Sequence, residues 1–124
     1  MSRSKYGNRK TVVDGIEFDS AAEARRWTDL RVLERVGLVR DIRRQVVFPL
    51  CVNGVEVCKY EADFIYDEIA ARGIVIEDVK GIQTAVFRLK ARFMAALGTP
   101  VTIRTKDGSS KLLDFKPKKV RKKK

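Results

Sequence analysis

Histidine is absent from the 124 residues, and cysteine occurs only twice, at Cys51 and Cys58. The missing histidine removes a histidine triad or a histidine general base. With only two thiols besides, a structural zinc site is not expected. If Asn53-Gly54 makes a two-residue hairpin turn, Val52 pairs with Val55, Cys51 faces Glu56 and Cys58 lies opposite Pro49. The cysteines are then out of register for a disulfide and are expected as buried or half-buried free thiols. No apolar run approaches the roughly 18 residues that span a bilayer. No apolar stretch follows the basic N-terminus, so a secretory signal is not expected and cytoplasmic residence is the default.

Acid is missing from both ends of the chain. Residues 1–10 hold Arg3, Lys5, Arg9 and Lys10 with no carboxylate, and residues 116–124 hold Lys116, Lys118, Lys119, Arg121, Lys122, Lys123 and Lys124 with none. These eleven cations account for the whole net charge of +11, so residues 11–115 sum to zero. A neutral body between polycationic arms is the footprint of nucleic-acid binding, in which phosphate contacts release counterions and add sequence-independent affinity. A solubilising tail is the plainer alternative. With 44% hydrophobic residues the body can fold, and its length suits one domain over 11–115.

Thr11 to Phe18 reads as a small hairpin around Asp14-Gly15. Asp19 or Ser20 then caps a helix running to about Val36, with Gly37 as its stop and Trp27, Leu30, Leu33 and Val36 as its apolar stripe. Residues 41–50 and 55–66 read as strands joined at Asn53-Gly54, and 74–80 as a third strand broken by Gly81. Thr84 caps a second helix over 84–97, with Val86, Leu89, Phe93 and Leu97 as its core stripe and Gly98 and Pro100 ending it. Val101 to Thr105 is a last strand, followed by a turn at 107–110 and an apolar patch of Leu112, Leu113 and Phe115. Helix, three strands, helix and strand make an α/β sheet core.

Charged residues in apolar strands are the chemical signal of this chain. Strand side chains alternate faces, so Ile74, Ile76, Asp78 and Lys80 share one face while Glu77 falls on the other and is discounted as a ligand. On the preceding strand Glu61, Asp63 and Ile65 share a face, and Tyr60, Ala62, Phe64 and Tyr66 take the other, apolar one. A hard Mg²⁺ favours carboxylate oxygens, so Asp63 and Asp78 would hold it for phosphodiester hydrolysis. Lys80 would stabilise the pentavalent phosphate, or position and help deprotonate the attacking water. Glu23 lies four residues before Trp27 and seven before Leu30, at the end of the core-facing stripe, and points toward the sheet; Ser20-Ala21-Ala22-Glu23 equally fits a capping box.

Glu23, Asp63 and Asp78-Val79-Lys80, in an αβββαβ order, resemble the PD-(D/E)XK nuclease superfamily. Lys5 to Thr11, Phe18-Asp19-Ser20, Glu23-Ala24-Arg25-Arg26 and Glu77-Asp78-Val79-Lys80-Gly81 resemble, more narrowly, a family of short phage-borne nucleases long catalogued without a function. The resemblance implies a restriction-endonuclease-like core with a mixed sheet flanked by helices. It implies a DNA endonuclease using Mg²⁺, with Mn²⁺ as substitute, held by Asp63, Asp78 and Val79. Glu23, Asp63, Asp78 and Lys80 would be its catalytic residues. The proline that precedes the first aspartate in the motif is Ala62 here. Gln45 sits where related families place a glutamine near the site, with an exposed strand residue as the alternative; Gln83 is a second possible support. Arg25, Arg26, Lys90 and the tail residues Lys118, Lys119, Arg121 and Lys122 are the candidate DNA contacts, although a solvated helix face serves equally for Gln83 and Lys90. Branched or recombination-intermediate DNA, as for a Holliday-junction resolvase, in a bacterial host cell is the expected substrate setting. Cutting both strands needs two sites and hence a homodimer. The competing readings are a nucleic-acid-binding module on the same fold that does not cut, and a basic structural protein of a ribonucleoprotein.

Overall fold

Two dipeptides set the tight turns of the N-terminal half. The computed structural model describes residues 10–115. At Asp14-Gly15 and at Asn53-Gly54 both residues take positive φ (53° and 75°, then 51° and 79°). That is the backbone of a turn whose twist matches two antiparallel strands. The first joins β1 (Thr11–Val13) to β2 (Ile16–Phe18). The second joins β3 (Val39–Val52) to β4 (Val55–Glu68), a hairpin of two 14-residue strands. Val52 pairs with Val55 and Cys51 with Glu56 as expected, but Cys58 opposes Leu50 rather than Pro49. The register shifts between Leu50 and Cys51, where Val57 is the extra residue. The thiols are free, Cys58 half-buried and Cys51 exposed. Exposure of Cys51 corrects the expectation of a covered thiol, because among the described residues no element packs over the tip of the hairpin.

Helix α1 (Ala21–Arg35) starts where the Ser20 hydroxyl accepts from the Glu23 amide at 3.1 Å. Helix α2 (Ala85–Ala96) starts in the same way, with Thr84 accepting from the Phe87 amide. After β4 come β5 (Gly73–Val79), α2, β6 (Val101–Arg104) and β7 (Ser110–Leu113). The described strands after the first hairpin form one mixed sheet in the order β3-β4-β5-β6-β7, antiparallel except for the β5–β6 pair that α2 connects. The chain is thus a mixed α/β domain with an N-terminal hairpin, and the sequence α1-β3-β4-β5-α2-β6 has the expected order. Strand β7 was not foreseen, since its Lys111-Leu112-Leu113 is too short for a periodic signal. The helix stripes need correction as well. Trp27 and Leu30 are buried on α1, but Val36 is exposed at the cap. On α2 the buried face is Phe87, Ala91 and Met94, while Val86, Leu89 and Leu97 are exposed. Both sets repeat at three and four residues, so periodicity alone did not choose between adjacent faces.

The core divides in two. Phe18, Ala24, Trp27, Leu30, Val39, Phe64 and Tyr66 form one cluster under α1, joined by half-buried Val75 and Val79. Leu50, Tyr60, Ala62, Ile76, Phe87, Ala91, Met94, Val101, Ile103 and Leu113 form the other under α2. Because Val75, Ile76 and Val79 alternate along β5, the two clusters cover opposite faces of the sheet. Strand β4 contributes to both from residues of the same parity: Tyr60 and Ala62 on the α2 side, Phe64 and Tyr66 on the α1 side. The expectation that these four share one face is corrected here. The alternation breaks at Asp63, between the pairs Arg44–Phe64 and Val46–Ala62, and opposite it Gln45 has φ of 50°. A left-handed residue in a strand rotates the next residues to the other face, as a bulge does.

Candidate functional site

The break in β4 lies beside the end of β5, and the polar residues gather there. Asp78 is 2% exposed and faces the α2 side, as its place next to Glu77 and Val79 requires. Its Oδ1 accepts from the Asp63 amide at 3.3 Å, and its Oδ2 accepts from the Tyr60 hydroxyl. Asp63 answers across the strands, its Oδ2 accepting from the Val79 amide at 2.9 Å. Two carboxylates therefore sit against each other, each held by the other strand. Burial first, then the charges of Asp78 and Glu23, push the Asp63 carboxyl up to about 9. Such crowding leaves a proton, or a cation, as the means of neutralising the pair.

Glu23 joins them from α1. Among the described residues its carboxylate makes no hydrogen bond; only its backbone amide bonds to the Ser20 hydroxyl. The capping reading thus holds for Ser20 and not for the Glu23 side chain. Burial, then Asp19 and Asp78, raise the Glu23 carboxyl, while Lys80 and Arg44 pull it down. Lys80 is half-buried, with Nζ 4.8 Å above the centre of the Phe87 ring, and forms no ion pair with Asp78. Arg44 lies with its guanidinium 4.5 Å from the Phe18 ring centre, and its Nε is buried without a hydrogen-bond partner.

The opposite face of β5 holds a separate network. Glu77, 0% exposed, accepts from Arg26 Nε at 2.7 Å, Arg26 Nη2 at 3.0 Å, the Tyr66 hydroxyl at 2.7 Å and Arg104 Nε at 3.2 Å. Burial, then the charge of Glu77, push the Tyr66 phenol up to about 12. Discounting Glu77 as a ligand agrees with this geometry. Arg26 is corrected as a DNA contact, because its guanidinium is committed to Glu77 and Tyr66.

Arg25 and Gln83 are exposed, Lys90 is half-buried on α2, and Gln45 is an exposed strand residue opposite Asp63. Lys118, Lys119, Arg121 and Lys122 lie outside the described residues, as do residues 1–9 of the basic arm. A groove of about 480 Å³ between α1 and the β6–β7 turn is lined by Arg25, Arg26, Arg104 and Lys106 and reaches Val79, but contains none of Glu23, Asp63, Asp78 or Lys80. Among the described residues no three or more of His, Cys, Asp and Glu stand close enough together to hold a metal ion. The donors in contact are the Asp63–Asp78 pair, with Glu23 acting on them through its charge.

Tyr60 and Arg44 were missed by sequence reasoning. Tyr60 was placed on the wrong face by assuming unbroken alternation, and Arg44 carries no motif. The family match extends over residues 3–104. The chain belongs to the family described as a protein of unknown function, DUF1064. This family covers Glu23, Asp63, Asp78 and Lys80 together with all elements up to β6. No curated protein and no solved structure matches.

Proposed function

We propose that this member of the DUF1064 family is a metal-dependent DNA endonuclease with its site at Glu23, Asp63, Asp78 and Lys80. The observation that carries the reading is the Asp63–Asp78 pair: a half-buried and a buried carboxylate in contact across two strands, the Asp63 carboxyl raised by burial and by the charges of Asp78 and Glu23. A donor set of hard oxygens with this excess of negative charge fits Mg²⁺ or Mn²⁺, which takes one or two carboxylates and fills its shell with water. Asp63 and Asp78, with the Val79 main chain beside them, would hold the ion. Its chemistry is to neutralise charge on the scissile phosphate and to lower the pKa of a bound water. Glu23 would add the charge of a third carboxylate beside the pair. Lys80 supplies the cation for the phosphorane charge, and the buried shelf of Phe87 holds its ammonium at the site.

The restriction-endonuclease-like fold, branched or recombination-intermediate DNA as substrate, a homodimer and a phage setting belong to this same reading. They rest on the resemblance of the motif. A neutral body with basic arms supports recognition of the DNA backbone rather than of base sequence. No described helix is long and apolar enough to cross a bilayer.

The test incubates the protein with plasmid and with a four-way junction, in Mg²⁺ or EDTA, beside Asp78→Ala and Lys80→Ala. Cleavage is expected in Mg²⁺ alone and to fall about a hundred-fold or more in either variant. Cleavage that survives EDTA or either substitution overturns the assignment. The second reading, a binder that does not cut, draws on the absence of a third ligand within reach among the described residues. Binding without cutting in every metal would favour it. The tail has its own readout: deleting 116–124 is expected to weaken DNA binding at low salt and to flatten its dependence on salt. An unchanged slope would leave the tail a solubiliser.

A further inference from the structure

We infer that Tyr60 is a positioning residue that fixes Asp78 for metal binding. The inference rests on the metal-nuclease reading and names the group that orients its central ligand. In an unbroken strand Tyr60 would share the face of Phe64 and Tyr66, away from Asp78. The break at Asp63 and Gln45 turns it to the α2 side, where its hydroxyl donates to Asp78 Oδ2. The ring is 3% exposed and lies between two others, Phe48 at 6.3 Å and Phe87 at 6.4 Å between centroids. A phenylalanine would fill that space equally well, and a buried hydroxyl is costly unless it is bonded. The hydroxyl is bonded to Asp78, and the Asp63 amide takes the other oxygen. The Asp78 carboxylate is thereby fixed in rotation while each oxygen keeps a lone pair for a cation. Outer groups that hydrogen-bond a ligating carboxylate typically change metal affinity by about 10- to 100-fold when removed.

Tyr60→Phe removes the hydroxyl and keeps the ring. Mn²⁺ affinity of the DNA-free protein, read by electron paramagnetic resonance, is expected to weaken about ten-fold or more. Cleavage should fall at limiting Mg²⁺ and recover at saturating Mg²⁺. Phe48→Leu disturbs the same aromatic stack without touching Asp78 or Lys80 and should leave the Mn²⁺ affinity within about two-fold. A Tyr60→Phe protein that binds Mn²⁺ like an active wild type overturns this inference and leaves the nuclease reading standing. The inference also falls if Phe48→Leu weakens Mn²⁺ as much, since packing would then be the cause. It falls too if Tyr60→Phe does not fold, which would make the phenol a structural support. A wild-type protein that neither binds Mn²⁺ nor cuts DNA overturns the nuclease reading and this inference with it.

Discussion

Replacing Glu77 by alanine is expected to lower stability by about 3–5 kcal/mol, the range for removing one partner of a buried ion pair. For a chain of this size that is a fall in Tm on the order of 15 °C. Glu77 has no exposed surface and is the shared acceptor of Arg26, Arg104 and Tyr66. Its loss strands two guanidinium groups whose side chains are only 10% and 21% exposed. The three donors come from α1, β4 and β6, so one carboxylate ties together elements far apart in sequence. Glu77→Gln keeps the shape and one acceptor oxygen and should fall between the two in thermal unfolding. Because the network faces away from Asp78, cleavage per folded molecule should persist in Glu77→Gln at low temperature. Abolished cutting in that variant with its fold intact would place Glu77 in the site and contradict the facing of β5.

Asp63→Asn is expected to reduce cleavage about a thousand-fold and yet to raise the Tm of the metal-free protein at pH 8. The first effect follows from losing a carboxylate that would hold the ion, worth several kcal/mol in the transition state. The second follows from linkage. The folded carboxyl keeps its proton up to about 9, whereas its ordinary value is 3.8. Between those values the folded state binds more protons than the unfolded chain, so stability falls as pH rises. The contribution is complete below the lower value and lost by the upper one. Asparagine is neutral at every pH, can still accept from the Val79 amide, and can donate to Asp78. The variant should therefore show a flatter Tm from pH 5 to 9. If the pair binds Mg²⁺ as proposed, the ion has to displace the proton, so its stabilising effect should grow with pH, and the asparagine variant should lose that gain. A wild-type Tm that rises steadily over this range without metal would refute the crowding of Asp63 against Asp78.

What the sequence disclosed was local. Asn53-Gly54 and Asp14-Gly15 announced their turns because few residues accept positive φ at two successive positions. Ser20 and Thr84 announced their helices through hydroxyls that satisfy an orphan amide. Alternation along 74–80 separated Asp78 from Glu77, because β5 is short, straight and paired on both sides. Alternation failed on β4, where a long strand crosses from one cluster to the other. The cause lies partly in another strand, at Gln45, which nothing in the local pattern of 60–66 reveals. The face of α2 was misread for a related reason. Val86 and Leu89 are as apolar as Phe87 and Met94, and the sheet decides which are covered. The carboxylates of the candidate site were legible because they interrupt greasy runs. Their hydrogen-bond partner Tyr60 was hidden because an aromatic residue in a strand looks like ordinary core.

The break in the β3–β4 hairpin makes this site a seam. Asp63 stands where the packing changes sides; Glu23 belongs to the helix over one cluster, Tyr60 and the Phe87 shelf of Lys80 to the other. At that line β4 and β5 are joined by hydrogen bonds among carboxylates, a phenol and two amides. A small slide of one cluster against the other is therefore felt first as a change in spacing among these polar groups. A ligand seated there would act as a rivet, joining two separately packed halves.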